Sequence, residues 1–550
     1  MRAALALGGG VVALTVLTAC TSPSVEGAGG AKPTSMATTT TPARGDIPSL
    51  NWALPSGEPP SLDYAQAGDF SSDLMVSNLC DSLVHLNDDF TISPNIATSW
   101  RYADDRKTLI YTLRDDVRFW DGSRLTADDV AYSMKRNLDP DVGSYNASYY
   151  ANVKNVEASG AHQVTVRFKQ PDELFNKEMA TVAGSIAKAS FVKKAGKGFG
   201  NAATGVMCSG PFELDSWSAD SEIRLTRNTH YWNKKYRARA AKVTVSFVTD
   251  TTNLTQALKS GQLDGAYTIP ASAVPALTTA PIGKLYQGPG LETYSLAPTA
   301  SAGAKDEHLR RALSLAVDRK ALATAVFHGT AEPAHTFVPK TAWAAEKGEA
   351  KTTYQKAWDA LKKNNNADLA AARKELAASS RPKATVTLGI TSGDDADLAT
   401  ATLVQEQAHR IGLKIVIKQL QPLQFSTAFY DPKARKGLDF LLTRGFLSAA
   451  DPLDYLSIGP VEGGQFNWFG YKDALVDKNI AAARSTSDAA ERARLIAEAQ
   501  ARYDTALFSI PLLTPHSTLF LNSRVTGATV SMAAMFTPSL ALIGSSGKEG

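Results

Sequence analysis

The stretch from Val386 to Thr443 constrains the fold most. Val386, Leu388 and Ile390 occupy alternate positions, as on a strand. Residues 396–411 read as a helix ended by Gly412, 413–420 as a second strand, about 423–434 as a second helix, and 438–443 as a short buried strand. Such a β-α-β-α-β series with short connections predicts parallel strands joined by helical crossovers. Gly445 and the Asp451-Pro452 pair break the chain after the last strand. Ligands of open α/β sheets bind beyond the carboxyl ends of the strands. The loop 444–452 is therefore expected to be one jaw of a ligand site, although the same residues would also suit an ordinary strand-to-helix turn.

The rest of the chain repeats this alternation. Residues 242–249, 252–260 and 263–269 read as strand, helix and strand, with Gly261 ending the helix. A helix is expected over 71–84, a short helical turn over 94–100, and a half-buried strand carrying Leu109, Tyr111 and Leu113. Thr126-Ala127-Asp128-Asp129 has the form of a capping box opening a helix that reaches Asn137, with Pro140 beyond it. The adjacent carboxylates Asp115/Asp116 and Asp128/Asp129 suit turns and caps better than acid/base chemistry. Residues 306–327 form a helix pair. Residues 340–380 are Ala/Lys-rich and helical, interrupted at Asn364-Asn365-Asn366 and recapped by Asp368. Asp488-Ala489-Ala490-Glu491 is a second capping box, and Glu498 and Arg502 are spaced as an i,i+4 pair on its helix. Residues 510–513 and 518–521 read as strands returning to the first lobe.

The amino-terminal end indicates export. Met1-Arg2 precedes a short apolar run ending in Leu17-Thr18-Ala19-Cys20, a signal-peptide pattern too short to be a spanning helix. Leu-Thr-Ala-Cys resembles the bacterial lipobox, which implies lipidation of Cys20; a plain secretory signal with a coincidental Cys is the other reading. Burial of acyl chains contributes about 0.8 kcal/mol per CH₂, so two chains anchor a protein without a spanning helix. Residues 20–45 are rich in Ser, Thr, Gly, Pro and Ala and contain no aromatic residue, which predicts a disordered tether.

Some five hundred residues are then too many for one core, and two or more lobes are expected. A net charge of +4 spread over 550 residues gives no footprint for nucleic acid. Cys80 and Cys208 are the other two of three cysteines; in an exported chain they form either a disulfide or two separate buried thiols. Among eight histidines there is no metal-binding spacing, and neither a nucleophile elbow nor a phosphate loop occurs. No metal, no cofactor and no catalytic residue is expected.

Several blocks resemble one family in its usual order. They are Asn87-Asp88-Asp89-Phe90, Pro94-Asn95-Ile96-Ala97-Thr98-Ser99-Trp100, and the run from Thr112-Leu113-Arg114 through Phe119-Trp120-Asp121-Gly122 to Val130. Cys208-Ser209-Gly210-Pro211-Phe212, Arg227-Asn228, Tyr231-Trp232 and the helix Arg310 to Arg319 follow, with Gly329-Thr330-Ala331 beyond. Together these resemble the extracellular solute-binding proteins of ABC importers, peptide- and nickel-binding branch, over nearly all of 48–540. The resemblance implies an α/β, two-lobed periplasmic-binding-protein-like fold of class II type. One lobe would be 46–290 with 512–550, carrying an extra α+β subdomain at about 86–205, and the other 291–511.

It also implies a monomeric, lipid-anchored, non-enzymatic protein on the outer face of the cytoplasmic membrane, passing a small-molecule or oligopeptide ligand to permease and ATPase subunits. Peptide-binding relatives hold the ligand's α-ammonium with an Asp in the loop after the third strand. Here Ala449 stands at that position, in a loop one residue shorter, and Phe446 replaces the usual Trp. A buried ammonium needs a charged partner, so blocked peptides, oligosaccharides, metal chelates or siderophore-like compounds and opine-like molecules gain weight, and Asp451 is the substitute in the loop. A ligand-sensing lipoprotein and an enzyme reusing the fold are the other readings. The candidate ligand-binding residues are Tyr64, Tyr145, Tyr149, Tyr150, Gly445, Phe446, Ser448, Asp451, Phe466, Asn467 and Trp468, with Arg444 for a carboxylate.

Overall fold

The fold is that of a computed structural model describing residues 34–362 and 367–547. The signal peptide 1–19, Cys20 and the Asn364–Asn366 interruption lie outside the described residues. Two mixed sheets organise the chain. The first has the strand order Gly283–Gly288, Ser517–Asn522, Gly265–Tyr267, Ile47–Ala53, Ala240–Ser246, Glu222–Arg227, Phe212–Ser218. Ile47–Ala53 runs parallel to both Ala240–Ser246 and Gly265–Tyr267, so the helix Thr251–Ser260 crosses over the strand between them. Gly261 ends that helix at φ 77°, in the left-handed region that favours glycine.

The second sheet is ordered Ala331–Pro333, Ile510–Pro515, Glu292–Pro298, Phe440–Phe446, Thr385–Thr391, Lys414–Leu420. Its last three strands are the predicted parallel set, with Thr385–Thr391 in the middle, because period and glycine stops are local signals. Asp394 caps the first crossover helix, Asp395–His409, and Pro422 opens the second, Pro422–Tyr430.

A four-stranded antiparallel sheet (Ala97–Tyr102, Thr108–Leu113, Gln163–Phe168, Val153–Gly160) and the helix Ala127–Arg136 make the additional α+β unit of the first lobe. That helix begins with the predicted capping box, Thr126 and Asp129 each holding the other's backbone N–H. A disulfide joins Cys80 to Cys208 at a Cα separation of 4.9 Å, tying the end of the helix Phe70–Leu79 to the approach of the strand Phe212–Ser218. Next to it, buried Asp81 accepts hydrogen bonds from Ser209, Tyr231 and Trp232 at 2.7–2.9 Å.

Several sequence expectations are corrected. The helix over 71–84 ends at Leu79, and Val84–Leu86 is instead a strand paired with Ile92–Pro94. The helical turn over 94–100 is extended chain, because Ala97–Tyr102 finds a partner in Thr108–Leu113. Ile510–Pro515 does not return to the first lobe but inserts in the second sheet between Ala331–Pro333 and Glu292–Pro298; only Ser517–Asn522 returns. Arg502 pairs with Asp473 rather than Glu498, which Arg494 takes. The expected tether over 20–45 is wrong for 34–45. Ala37 N–H donates to Gln287 O and Thr40 N–H to Ala528 O, and the Thr40 hydroxyl accepts from the N–H groups of Gly527 and Ala528. Backbone pairing holds this segment where its composition offers no apolar anchor.

Candidate functional site

The strand Phe440–Phe446 delivers its carboxyl end to a cavity of about 220 Å³. The wall is aromatic: Phe446 from the strand, Phe337, Phe429 and Tyr455, Phe466 and Trp468 from the following loop, and Tyr149 from the first lobe. Phe337 stacks on Tyr455 with ring centroids 3.5 Å apart, and Phe466 and Trp468 meet edge to face at 6.3 Å. Aromatic walls with few polar groups are the usual construction of small-molecule pockets. Gly445 is required by close approach: a Cβ there would clash with Cζ at the edge of the Phe337 ring. Gly445→Val should displace Phe337 and abolish ligand binding while destabilising the fold by about 1–3 kcal/mol, the cost of overpacking; calorimetry and thermal unfolding check this together.

The loop itself is held by carboxylates. Asp451 caps the helix Pro452–Leu456 by accepting the Leu453 N–H, and its fully buried carboxylate pairs with Lys177 at 2.8 Å and with Arg492. Burial opposes its ionised form, but Arg492 and Lys177 outweigh that and hold its pKa well below the usual carboxylate range. Asp454 accepts the backbone N–H groups of Ser448, at 2.8 Å, and Ala449, at 3.3 Å. Burial pushes its carboxyl up to about 7, against the pull of those two donors.

The loop also meets the first lobe directly. Phe70 lies against Phe446 with centroids 5.1 Å apart, Ser448 lies beside Tyr149, and Lys177 reaches Asp451 and Glu346. Arg484 bridges back to buried Asp172 at 2.9 Å and Glu178 at 3.7 Å.

Six of the candidate residues line the cavity: Tyr149, Arg444, Gly445, Phe446, Phe466 and Trp468. Ser448 lies beside it through Tyr149. The other candidates are used elsewhere. Tyr64 is a core residue whose hydroxyl donates to Ser133 O while the Arg136 guanidinium covers its ring at 5.1 Å. Tyr150 is equally buried and donates to Ala183 O. Tyr145 is exposed, beside Gly68. Asn467 staples its own loop, donating to Val461 O and Tyr471 O and accepting the Tyr471 N–H. Asp451 is consumed by Lys177 and Arg492, so it does not replace the absent ammonium partner.

Arg444 is likewise matched, by Asp394 and by Asp397 at 3.4 Å, with its guanidinium over the Tyr294 ring. It forms the wall between the aromatic cavity and a second, more polar one of about 290 Å³ over Glu292, Asp394 and His516. A ligand carboxylate would have to compete with two resident ones. Sequence reasoning missed Phe337, Tyr455, Phe508 and Asp454. Asp454 and Tyr455 followed the recognised loop directly, whereas Phe337 and Phe508 come from remote segments with no local signal.

Among the described residues no group of acidic, His and Cys side chains could hold a metal ion, and no helix is long and apolar enough to cross a membrane.

Two sheet-centred lobes with a ligand-sized cavity at their junction define a two-lobed solute-binding protein. The chain belongs to the bacterial extracellular solute-binding proteins, family 5, whose model matches residues 91–465. It is 26% identical over 450 residues to the glutathione-binding protein GsiB of Salmonella typhi, covering 80% of this chain and 84% of that one. Its fold is similar to that of AgaA from A.tumefacien R10, solved in complex with agropinic acid (TM-score 0.76, 22% identity, 91% of this chain and 99% of that one). It is also similar to the Bacillus subtilis oligopeptide-binding protein AppA, solved in complex with a nonapeptide (TM-score 0.75, 19% identity, 92% and 100%).

Proposed function

We propose that this protein is the substrate-binding subunit of an ABC importer, capturing a compact peptide-like solute between its lobes and presenting it to permease and ATPase subunits. The observation that carries this is the aromatic cavity closed on one side by Tyr149 of the first lobe and on the other by the loop after Phe440–Phe446. Its volume of about 220 Å³ lies below the roughly 300–1,000 Å³ of typical drug-sized sites and suits a solute of about two residues rather than a long peptide. Binding would be coupled to lobe closure through the contacts of Phe446, Ser448, Asp451 and Arg484 with the first lobe, a shift of population without catalysis.

For this reading the chain passes between the lobes near 290, as expected, and returns after Ile510–Pro515 rather than at 512; the strands that change sheet support this division. Lipidation at Cys20 would hold the monomer on the outer face of the cytoplasmic membrane. A non-peptide, opine-like solute is favoured as the second reading by one observation: Ala449, which the sequence resemblance aligns with an ammonium-binding Asp, is buried and apolar.

Phe446→Ala should weaken solute binding about tenfold or more, because it removes both a cavity wall and the contact with Phe70, while the protein stays folded. Calorimetry with whatever compound co-purifies checks this, and unchanged affinity removes Phe446 from the site.

A further inference from the structure

We infer that the amino-terminal strap, residues 34–45, braces the hinge between the lobes, and that Gln287 and His516 are the positioning residues through which it governs lobe closure. This rests on the solute-binding reading above and names what controls it. The two chain crossings between the lobes lie side by side, Gly288 pairing with Ser517 in the first sheet and Tyr294 with Leu513 in the second. His516 stands on the returning crossing. Its backbone N–H donates to Thr330 O of the second lobe at 2.9 Å, and its Nδ1 lies 2.9 Å from Oε1 of Gln287, which stands just before the outgoing crossing. The Gln287 side-chain amide donates to Thr34 O at 2.6 Å, and the Gln287 backbone carbonyl accepts the Ala37 N–H at 3.0 Å. One glutamine thus joins the strap, both crossings and, through His516, the second lobe.

The polarity of these bonds is fixed. With Nε2 of Gln287 spent on Thr34, its Oε1 faces His516 and can only accept, so the imidazole carries its proton on Nδ1. Burial lowers the pKa of His516 and keeps the ring neutral. A second set of bonds ties the strap to the same place. Thr38 O accepts from the N–H groups of Val530 and Ser531 at 2.7 and 3.2 Å, and the following N–H, that of Met532, donates to Pro289 O at 3.0 Å. In this arrangement the lobes meet across the cleft, Lys177 reaching Asp451 and the Glu173 N–H donating to Arg484 O at 2.9 Å. Closure turns the crossings, so bonds that hold Gln287 and His516 in one arrangement favour the closed form. A lipid anchor on Cys20 would accordingly hold the protein by its hinge.

Hydrogen exchange of the solute-free, full-length protein tests this, because the Glu173 amide is bonded across the lobes and its exchange reports their separation. Gln287→Ala should speed that exchange about three- to tenfold, the effect of one or two net hydrogen bonds, and leave the strand Ala240–Ser246 within the first sheet unchanged. His516→Ala should do the same, and His516→Asn, which restores a donor to Gln287, should return most of the protection. Gln287→Glu can still accept from His516 but cannot donate to Thr34, so it should exchange faster than wild type at Glu173. Wild-type exchange at Glu173 in Gln287→Ala and His516→Ala overturns the inference, and so does equal acceleration in Ala240–Ser246, which marks a general loss of stability. Wild-type exchange in Gln287→Glu alone removes the strap from the hinge and overturns it as well. No solute enters the measurement, so its outcome is separate from the detection of a bound adduct, which decides whether the solute-binding reading survives.

Discussion

Asp451→Ala should destabilise the protein by about 3–5 kcal/mol, because it strands a buried guanidinium. Asp451 is fully buried, Arg492 is 8% exposed, and the remaining carboxylate near Arg492, Glu346, lies 3.8 Å away. The same substitution removes the N-cap of Pro452–Leu456 and the anchor of Lys177, so the loss falls on the loop and on the contact between lobes at once. Adding Arg492→Met should recover much of the stability, since a well-packed apolar pair is often as good as the buried ion pair it replaces. Chemical unfolding of the single and double variants measures both effects, and a single-variant loss under 1 kcal/mol contradicts the network.

The pH dependence has a definite sign. The folded-state pKa of Asp451 is depressed, so its contribution is fully present above the unfolded value of about 3.9 and is lost as pH falls below that toward the folded value. Wild type should therefore lose more stability than Asp451→Ala between about pH 4 and pH 2.

The second large effect concerns Cys80–Cys208. The bridge closes a loop with a sequence separation of 128, and removing it as Cys80→Ser with Cys208→Ser should cost about 2–5 kcal/mol through the freedom returned to the unfolded chain. Thermal unfolding of this variant, and of wild type with a reductant, should show the same lowered midpoint. The loop spans the entire additional α+β unit, so proteolysis of the reduced protein should begin within 81–207. A reduced protein melting at the wild-type temperature would refute this.

What the sequence revealed of the fold follows the range of the interactions involved. The alternation from Val386 to Thr443, the cap at Thr126 and the stop at Gly261 depend on neighbours within a few residues, and all three are present. The strand Ala97–Tyr102 escapes a local reading because its partner Thr108–Leu113 supplies the hydrogen bonds that Pro94-Asn95 alone would assign to a helical turn. The lobe of Ile510–Pro515 escapes a local reading for a related reason. Strand character is local, but the choice between two sheets is made by Glu292–Pro298 and Ala331–Pro333, nearly two hundred residues earlier.

The site divides in the same way. Gly445, Phe446, Phe466 and Trp468 sit on or just beyond a strand end recognisable by pattern. Phe337 and Phe508 reach the cavity only through the tertiary fold. Residue type alone makes Tyr64 and Tyr150 pocket candidates, yet a tyrosine serves a core equally well when its hydroxyl finds a backbone carbonyl, as both do here. Arg444 and Asp451 read as free for a ligand in the sequence because their own counter-ions, Asp394, Asp397, Lys177 and Arg492, lie far away along the chain.

Capture of a small solute between the lobes is tested most directly by native mass spectrometry of the protein purified from cells that produce it, before and after exchange through mild denaturant. A non-covalent small-molecule adduct should be present, released on denaturation, restored by the released compound and retained less well in Phe446→Ala. Bare protein that acquires no adduct from a cell extract, or a bound compound recovered chemically altered, would contradict it.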